Sequence, residues 1–383
     1  MAFSIAKRTL DAVAACFYPS EQIVAIDPLG SGNVNDTFLV RLATSAGPPG
    51  AFVLQRLNTA VFHRPDLVMG NWITLSRHVQ ARMAAGMPEL AGRRWVMPDV
   101  LTTRGDQRHW VEHDGQFWRS IAFIDAATAH DVVCDADHAR EVGFGLGMLH
   151  HLMSDLPVAQ LADTFEGFHV TPVYLKRYDR VLQSWSERGD CRKVTDSKLA
   201  TALAFVANGR AGADVLELAC ERGELQRRPI HGDPKINNVM IDACSGQAVG
   251  LIDLDTVKPG LVHYDIGDCL RSCCNPAGEE TTDLRAIRFD LDLCAAILTG
   301  YLSMARSFLS PADASYLPAS IRLLPFELGL RFLTDHLDND SYFKVERHGQ
   351  NLDRALVQFT LMRSIEDQYD AIESLVQQLT STL

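Results

Sequence analysis

No Cys-x-x-Cys pair occurs in the 383 residues, the cysteine count is odd at nine, and Cys273 and Cys274 are adjacent. Neither a zinc framework nor a disulfide framework is indicated by such spacing, and reduced thiols of a cytoplasmic protein are the plain reading. The histidines outside the motifs below, such as His150-His151, are expected to be surface or core residues. A long apolar run is also missing: the strongest stretch, Cys294 to Ala305, is too short and too polar to span a bilayer. The first seventeen residues carry Lys7-Arg8 and alanine-rich sequence, but Asp11 breaks the apolar stretch, so a surface helix is expected there rather than a secretion signal. There is no internal repeat and no low-complexity segment.

Positive charge is in deficit. Lys and Arg number 36 against 48 Asp and Glu, a formal net charge of −12 at pH 7. That balance argues against nucleic-acid and anionic-membrane partners, whose phosphates it would not neutralise. With 47% hydrophobic and 22% charged residues, the chain is compositionally an ordinary globular protein. At roughly 100–200 residues per domain, its length fits two domains or two lobes.

The first third mixes strands with helices. Phe38 to Val40 and Ala51 to Leu57 are short β-rich runs separated by the turn SAGPPG, and together they read as a hairpin. A helix is expected from Asp66 to about Ala84, and strands at Trp95 to Val100, His109 to His113 and Phe117 to Ile124. Beyond Asp137 helical periodicity takes over: Ala139 to Met153, Pro172 to Trp185, Lys198 to Ala207, Ala213 to Glu221, Thr282 to Leu309, Ser320 to Leu333 and Leu352 to Leu379. One strand-rich island, Asn238 to Asp242 and Ala248 to Asp253, interrupts these helices. The expected class is α+β: a small sheet lobe over 1–124, then a larger, mainly helical lobe over 125–383.

The island carries the chemistry. His231-Gly232-Asp233-Pro234-Lys235-Ile236-Asn237-Asn238 stands directly before one strand, and Ile252-Asp253-Leu254-Asp255 ends the next. An Asp, an amide five residues later and a second acidic loop are the parts with which phosphotransferases set a base beside magnesium. Asp233 is the expected base for an alcohol proton, and Lys235 the cation that neutralises the transferring phosphoryl group. Asn238 and Asp253 supply hard oxygen ligands for magnesium, while Asp255 is a second metal or substrate ligand. A lone HGD would be turn chemistry; the full string is much rarer.

These strings, with HYDIGDCLR after them, resemble the aminoglycoside phosphotransferase and choline kinase superfamily. Within it the chain is similar to N-acetylhexosamine 1-kinases, through GSGNVNDTFLV, FVLQRLNTAVF, LIDLDTVKPG, GLRFLTDHL and QNLDRALVQF. The resemblance covers most of the chain and implies a two-lobed, protein-kinase-like fold. It further implies an ATP- and Mg2+-dependent kinase acting on a small-molecule alcohol, in particular the anomeric hydroxyl of an N-acetylhexosamine. An aminoglycoside or choline-like acceptor, or an inactive nucleotide-binding module, is the alternative.

On that resemblance Gly30, Ser31, Gly32 and Asn33 would fold over the triphosphate, and Ala122 to Ile124 would meet the adenine. Asp265 would brace the catalytic loop, whereas His231 is expected to be scaffold. The usual phosphate-binding lysine of the second hairpin strand is absent. Gln55 and Arg56 stand there instead, on opposite faces, and Arg56 is favoured for its charge. The following helix reads Val68-Met69-Gly70-Asn71, without the usual partner glutamate. Arg331 and Asp335, four apart in GLRFLTDHL, share a helix face and are the expected sugar-binding pair.

Overall fold

The computed structural model describes residues 5–30, 34–43, 50–188, 197–381 and 383. They form two compact units: Met1–Gly86, Val96–Ala126 and Ala159–Thr164 make the first, and Met87–Trp95, Ala127–Val158 and Phe165–Leu383 the second. The chain therefore passes between them several times, where the sequence suggests one boundary after residue 124. Asn71 accounts for one return, since its amide exchanges two 2.8 Å hydrogen bonds with the backbone of Ala162.

The first unit begins with α1 (Lys7–Phe17), whose Leu10, Val13, Ala14 and Phe17 are buried, in keeping with an amphipathic helix. Strands β1 (Ile23–Pro28), β2 (Asp36–Leu42) and β3 (Ala51–Leu57) follow, then α2 (Pro65–Ala84), β4 (Val111–His113) and β5 (Gln116–Ala122). The five strands form one antiparallel sheet in the order β1-β2-β3-β5-β4. Alternate residues Val40, Phe52, Leu54 and Trp118 pack on α1 to make one core. The opposite face, through Leu57 and Phe117, packs on Val68 and Met69 of α2. The strand expected at Trp95 to Val100 is irregular apart from a single bridge between Val100 and Ile121. Pro98 there has no N–H to give a ladder, and its carbonyl is bound to the Trp72 indole at 2.9 Å.

The second unit is mainly helical. It holds β6 (Ala127–Thr128), α3 (Ala136–Met153), α4 (Thr171–Glu187), α5 (Ser197–Gly209), α6 (Val215–Glu221), β7 (Arg228–Ile230), β8 (Val239–Asp242), β9 (Ala248–Leu251) and β10 (Lys258–Gly260). After these come α7 (Val262–Cys273), α8 (Leu291–Ala305), α9 (Pro311–Ser315), α10 (Leu317–Leu337), α11 (Gln350–Glu366) and α12 (Tyr369–Thr380). Helices α3 and α8 touch backbone to backbone: a Cβ on Gly143 would lie 1.9 Å from the Ile297 carbonyl oxygen, and one on Gly300 1.9 Å from that of Arg140. Only glycine permits that approach.

Two expected helices are shorter than read. The 282–309 segment becomes helical only at Leu291, where the Asp290 carboxylate caps the Leu293 N–H at 3.1 Å. The 352–379 segment breaks at Asp367-Gln368. There the Gln368 amide turns back onto the carbonyls of Ser364 and Phe289, each at 3.0 Å. No described helix is long and apolar enough to cross a membrane, and the eight described cysteines are all free.

Candidate active site

Two short antiparallel pairings put the acidic loops together. β7 pairs with β10, and β8 pairs with β9 in a three-stranded sheet with β6. The loop leaving β7 therefore starts beside the segment that follows β9. Gly232 turns that loop at φ 87°, and a Cβ there would meet the Thr256 carbonyl at 2.6 Å, so no other residue fits. The Thr256 hydroxyl also donates to the His231 carbonyl at 2.8 Å.

A buried carboxylate holds the loop from below. Asp265, in the first turn of α7, accepts the N–H of His231 at 2.7 Å and of Gly232 at 2.8 Å. Its Oδ2 also meets His150 Nε2 at 2.8 Å, and His150 Nδ1 lies 3.0 Å from the Tyr301 hydroxyl. His231 is fully buried: its Nε2 faces the Ile252 carbonyl at 3.0 Å, and its Nδ1 accepts the Asp233 N–H at 3.2 Å. Burial holds its pKa below the ordinary histidine value. It is scaffold, with neither ring nitrogen facing a reacting group.

Asp233 itself is part-exposed and lies 2.8 Å from the Lys235 ammonium. Asp233 is the largest influence on that lysine and raises its pKa, with Asp253 and Asp268 adding in the same direction, so Lys235 stays charged. Asn238 gives its amide nitrogen to Asp233, at 2.7 Å to the carbonyl and 3.3 Å to Oδ2. That orientation leaves the Asn238 side-chain oxygen as its acceptor. Asp253 follows β9 in the left-handed region, at φ 64° and ψ 56°. One amide oxygen and one carboxylate, on adjoining strand ends, make a hard-oxygen donor set that suits magnesium. Asp255 lies two residues further on and is 2% exposed, so the short helix after Asp253 carries it inward.

A second brace has no sequence motif. His169, at φ 62° just before α4, is buried with Nε2 2.7 Å from the Gly232 carbonyl and Nδ1 3.0 Å from Glu327 Oε1. The other Glu327 oxygen accepts the Thr171 hydroxyl at 2.9 Å. Both ring nitrogens of His169 face oxygen atoms, an arrangement that favours the doubly protonated ring. Burial works against the charge, yet the Glu327 carboxylate outweighs it and the pKa is raised. Asp268 adds to the same network: burial pushes its pKa up, but Arg271, 2.8 Å away, and His169 bring it below the usual value.

On the first unit, Gly30 adopts φ 71°, and Ser31, Gly32 and Asn33 lie outside the described residues. Arg56 sits directly across the sheet from Asp36, and the two form a 2.5 Å ion pair. Gln55, on the other face, accepts from Arg119 at 2.7 and 3.0 Å and donates to Thr37 at 3.1 Å. Arg119 is a fully buried cation on β5 that stacks on Trp72 at 4.5 Å and reaches Met69 on α2. Sequence reasoning missed it, because nothing in FWRSIAFI marks an inward-facing arginine. Where the familiar pattern sets a lysine against a glutamate, this chain sets Gln55 against Arg119.

The structure also separates the expected sugar-binding pair. Asp335 is 2% exposed and accepts the N–H groups of Tyr342 and Phe343, at 2.8 and 2.9 Å, and the Asn351 amide at 2.9 Å. Both oxygens are bonded, Oδ1 to the Tyr342 N–H and Oδ2 to the Phe343 N–H and the Asn351 amide, so Asp335 ties the 338–343 loop to α10 and α11. Arg331 instead stands among three rings, 5.1 Å from Phe168, 5.2 Å from Tyr174 and 5.6 Å from Phe343. It lies one helical turn beyond Glu327. Burial opposes its charge, but Tyr174, Tyr342, Glu327 and Asp268 raise its pKa.

This arrangement, a small antiparallel sheet unit with a helical unit bearing an Asp-Lys-Asn loop beside an acidic strand end, is that of a kinase-like phosphotransferase. The phosphotransferase enzyme family model (APH) matches residues 25–305, and the chain belongs to that family. Among solved structures, an aminoglycoside phosphotransferase from Alicyclobacillus acidocaldarius superposes with a TM-score of 0.62 at 18% identity, covering 99% of each chain. A microcompartment-associated aminopropanol kinase gives 0.59 at 17%, over 96% of this chain and 98% of its own. Choline kinase from Cryptosporidium parvum gives 0.58 at 12%, over 98% and 99%. At these identities the likeness is one of fold.

Proposed function

We propose that this chain is an ATP- and Mg2+-dependent kinase of the cytoplasm, and that its acceptor is the anomeric hydroxyl of an N-acetylhexosamine. Asp233 takes the proton of the attacking hydroxyl as its oxygen bonds to the γ-phosphorus and ADP departs. Lys235 meets the charge on the transferring group. Asn238 and Asp253 would hold the magnesium ion, which when bound neutralises the triphosphate. Asp265 and His169 fix the loop backbone, so that the Asp233 carboxylate is set before substrate arrives.

The observation that carries a non-cationic acceptor is Arg331 within its ring set of Phe168, Tyr174 and Phe343. Two of the kinases of like fold are named for amine alcohols, aminopropanol and choline. An ammonium ligand draws on aromatic faces, but here a guanidinium already occupies them and would repel a second cation. The N-acetylhexosamine itself rests on the resemblance of Gly329 to Leu337.

The test is ATP consumption by the full chain with N-acetylglucosamine, N-acetylgalactosamine, choline, aminopropanol and an aminoglycoside. Turnover with an acetamido sugar, and a product lacking its reducing end, is the expected result. Turnover with the amines alone would overturn the sugar assignment and leave the family intact. The Gln55–Arg119 pairing favours the second reading, an inactive nucleotide-binding module, which predicts ATP binding with no turnover on any acceptor.

A further inference from the structure

We propose that His130, Cys134 and His138 form a binding site for a thiophilic divalent cation, Zn2+ in the first place, which clips the segment after β6 to the start of α3. The three stand at intervals of four, and one donor atom from each lies within 4.8 Å of the other two. The Cys134 sulfur is 3.8 Å from His130 Nδ1. The two imidazoles meet edge to face with centroids 4.7 Å apart.

The backbone, not chance contact, brings them together. Asp135 is the N-cap of α3, and its carboxylate accepts the His138 N–H at 2.8 Å, so His138 is held in the first turn. The Cys134 N–H in turn points at His138 Nδ1, 3.1 Å away. An imidazole nitrogen that accepts an amide hydrogen bears a lone pair rather than a proton. His130 Nε2 faces the Thr128 hydroxyl at 3.4 Å. A proton kept there leaves the Nδ1 lone pair towards the sulfur, as an outer partner does for a metal-bound histidine.

Two imidazoles and a thiolate are a borderline-soft donor set, suited to zinc rather than to magnesium. Zinc–nitrogen and zinc–sulfur bonds of about 2.0–2.1 and 2.3 Å place tetrahedral ligands roughly 3.5 Å apart. The cluster therefore closes by about an ångström, which an exposed cysteine and two half-buried histidines accomplish by side-chain rotation. The ion displaces the thiol proton and replaces the hydrogen bond from the Cys134 amide. Water fills the fourth position. None of the three residues belongs to the phosphotransfer site, so the proposal stands apart from the substrate assignment.

The test is Co2+ titration of the metal-stripped full chain, followed by displacement with Zn2+. One equivalent should produce a thiolate-to-cobalt charge-transfer band and tetrahedral visible bands, which one equivalent of Zn2+ bleaches. Cys134→Ser should abolish the charge-transfer band, and Cys244→Ser, at the other exposed cysteine among the described residues, should leave it unchanged. His130→Ala and His138→Ala should each weaken binding by more than the about 10- to 100-fold typical of a lost outer partner. Stoichiometric Zn2+ should also slow alkylation of Cys134, read by mass spectrometry of its peptide. No band in the wild type, or a band unchanged in both histidine variants, would overturn the site and leave only an adventitious thiol.

Discussion

Glu327 and His169, 158 positions apart in sequence, form a buried ion pair at 3.0 Å, and the other imidazole nitrogen holds the carbonyl of Gly232 at 2.7 Å. Through this pair α10 reaches the residue next to Asp233. Asp265 holds the same glycine by its N–H, so the peptide groups flanking the loop turn are fixed from both sides. The peptide groups next to Asp233 are thus held by buried charged side chains of α7 and α10.

Asp233→Asn keeps the shape of the loop and removes the proton acceptor. We expect ATP binding near that of the wild type and turnover lowered by about 10²- to 10⁴-fold. Isothermal titration alongside a coupled ADP assay checks both; retention of most of the turnover would remove Asp233 from the role of base.

Glu327→Gln leaves His169 buried without its counter-charge. Breaking such a pair costs up to about 3–5 kcal/mol, read by urea unfolding. In the milder His169→Gln, the amide can still donate to Gly232 O, so kcat should recover more than in His169→Leu while the sugar KM changes little in either.

The His169 pair also sets a pH dependence. Its folded-state pKa is raised, so its contribution is full below the unfolded value of about 6.5 and is lost as pH climbs through the folded value. The wild-type urea midpoint should therefore fall on the alkaline side more steeply than that of His169→Gln. Parallel curves would show that His169 does not carry the charge.

Asp253→Ala should weaken Mg-ATP binding more than Asn238→Ala, because a carboxylate gives the cation charge as well as an oxygen. Titrating Mg2+ at fixed nucleotide in both variants checks the order. Equal effects would make Asp253 a loop residue rather than a ligand.

Arg331→Ala should raise the KM for the sugar and leave the KM for ATP nearly unchanged. It should also leave the ring set of Phe168, Tyr174 and Phe343 open to a cation, so choline should become a measurable inhibitor. Unchanged sugar KM would place Arg331 in packing alone.

The loop is legible in the sequence because its residues are close neighbours along the chain. Asp233, Lys235 and Asn238 lie within six positions, and Asp253 stands at the end of the next strand but one from Ile230, so local spacing alone suffices to associate them. The hairpin, α1, α2 and α3 are legible for a similar reason: each carries its own periodicity, and burial follows it. Helix ends are not, because Asp290 and Gln368 terminate their segments through particular side-chain hydrogen bonds that periodicity does not encode.

The sequence by itself determined the class of chemistry, since a base, an amide and acidic strand ends are local strings with few other uses together. Only the tertiary structure decided what each remaining charge does. Arg56 is bound to Asp36, Gln55 to Arg119, Asp335 to a backbone loop and Arg331 to three rings, each through a partner on another segment. Two candidate residues four apart on a helix look alike in sequence, yet one faces a turn full of N–H groups and the other a ring set. The physical reason is that a side chain's electrostatic partner is chosen by packing across the fold, where desolvation makes every unpaired charge costly, and that choice has no local signature.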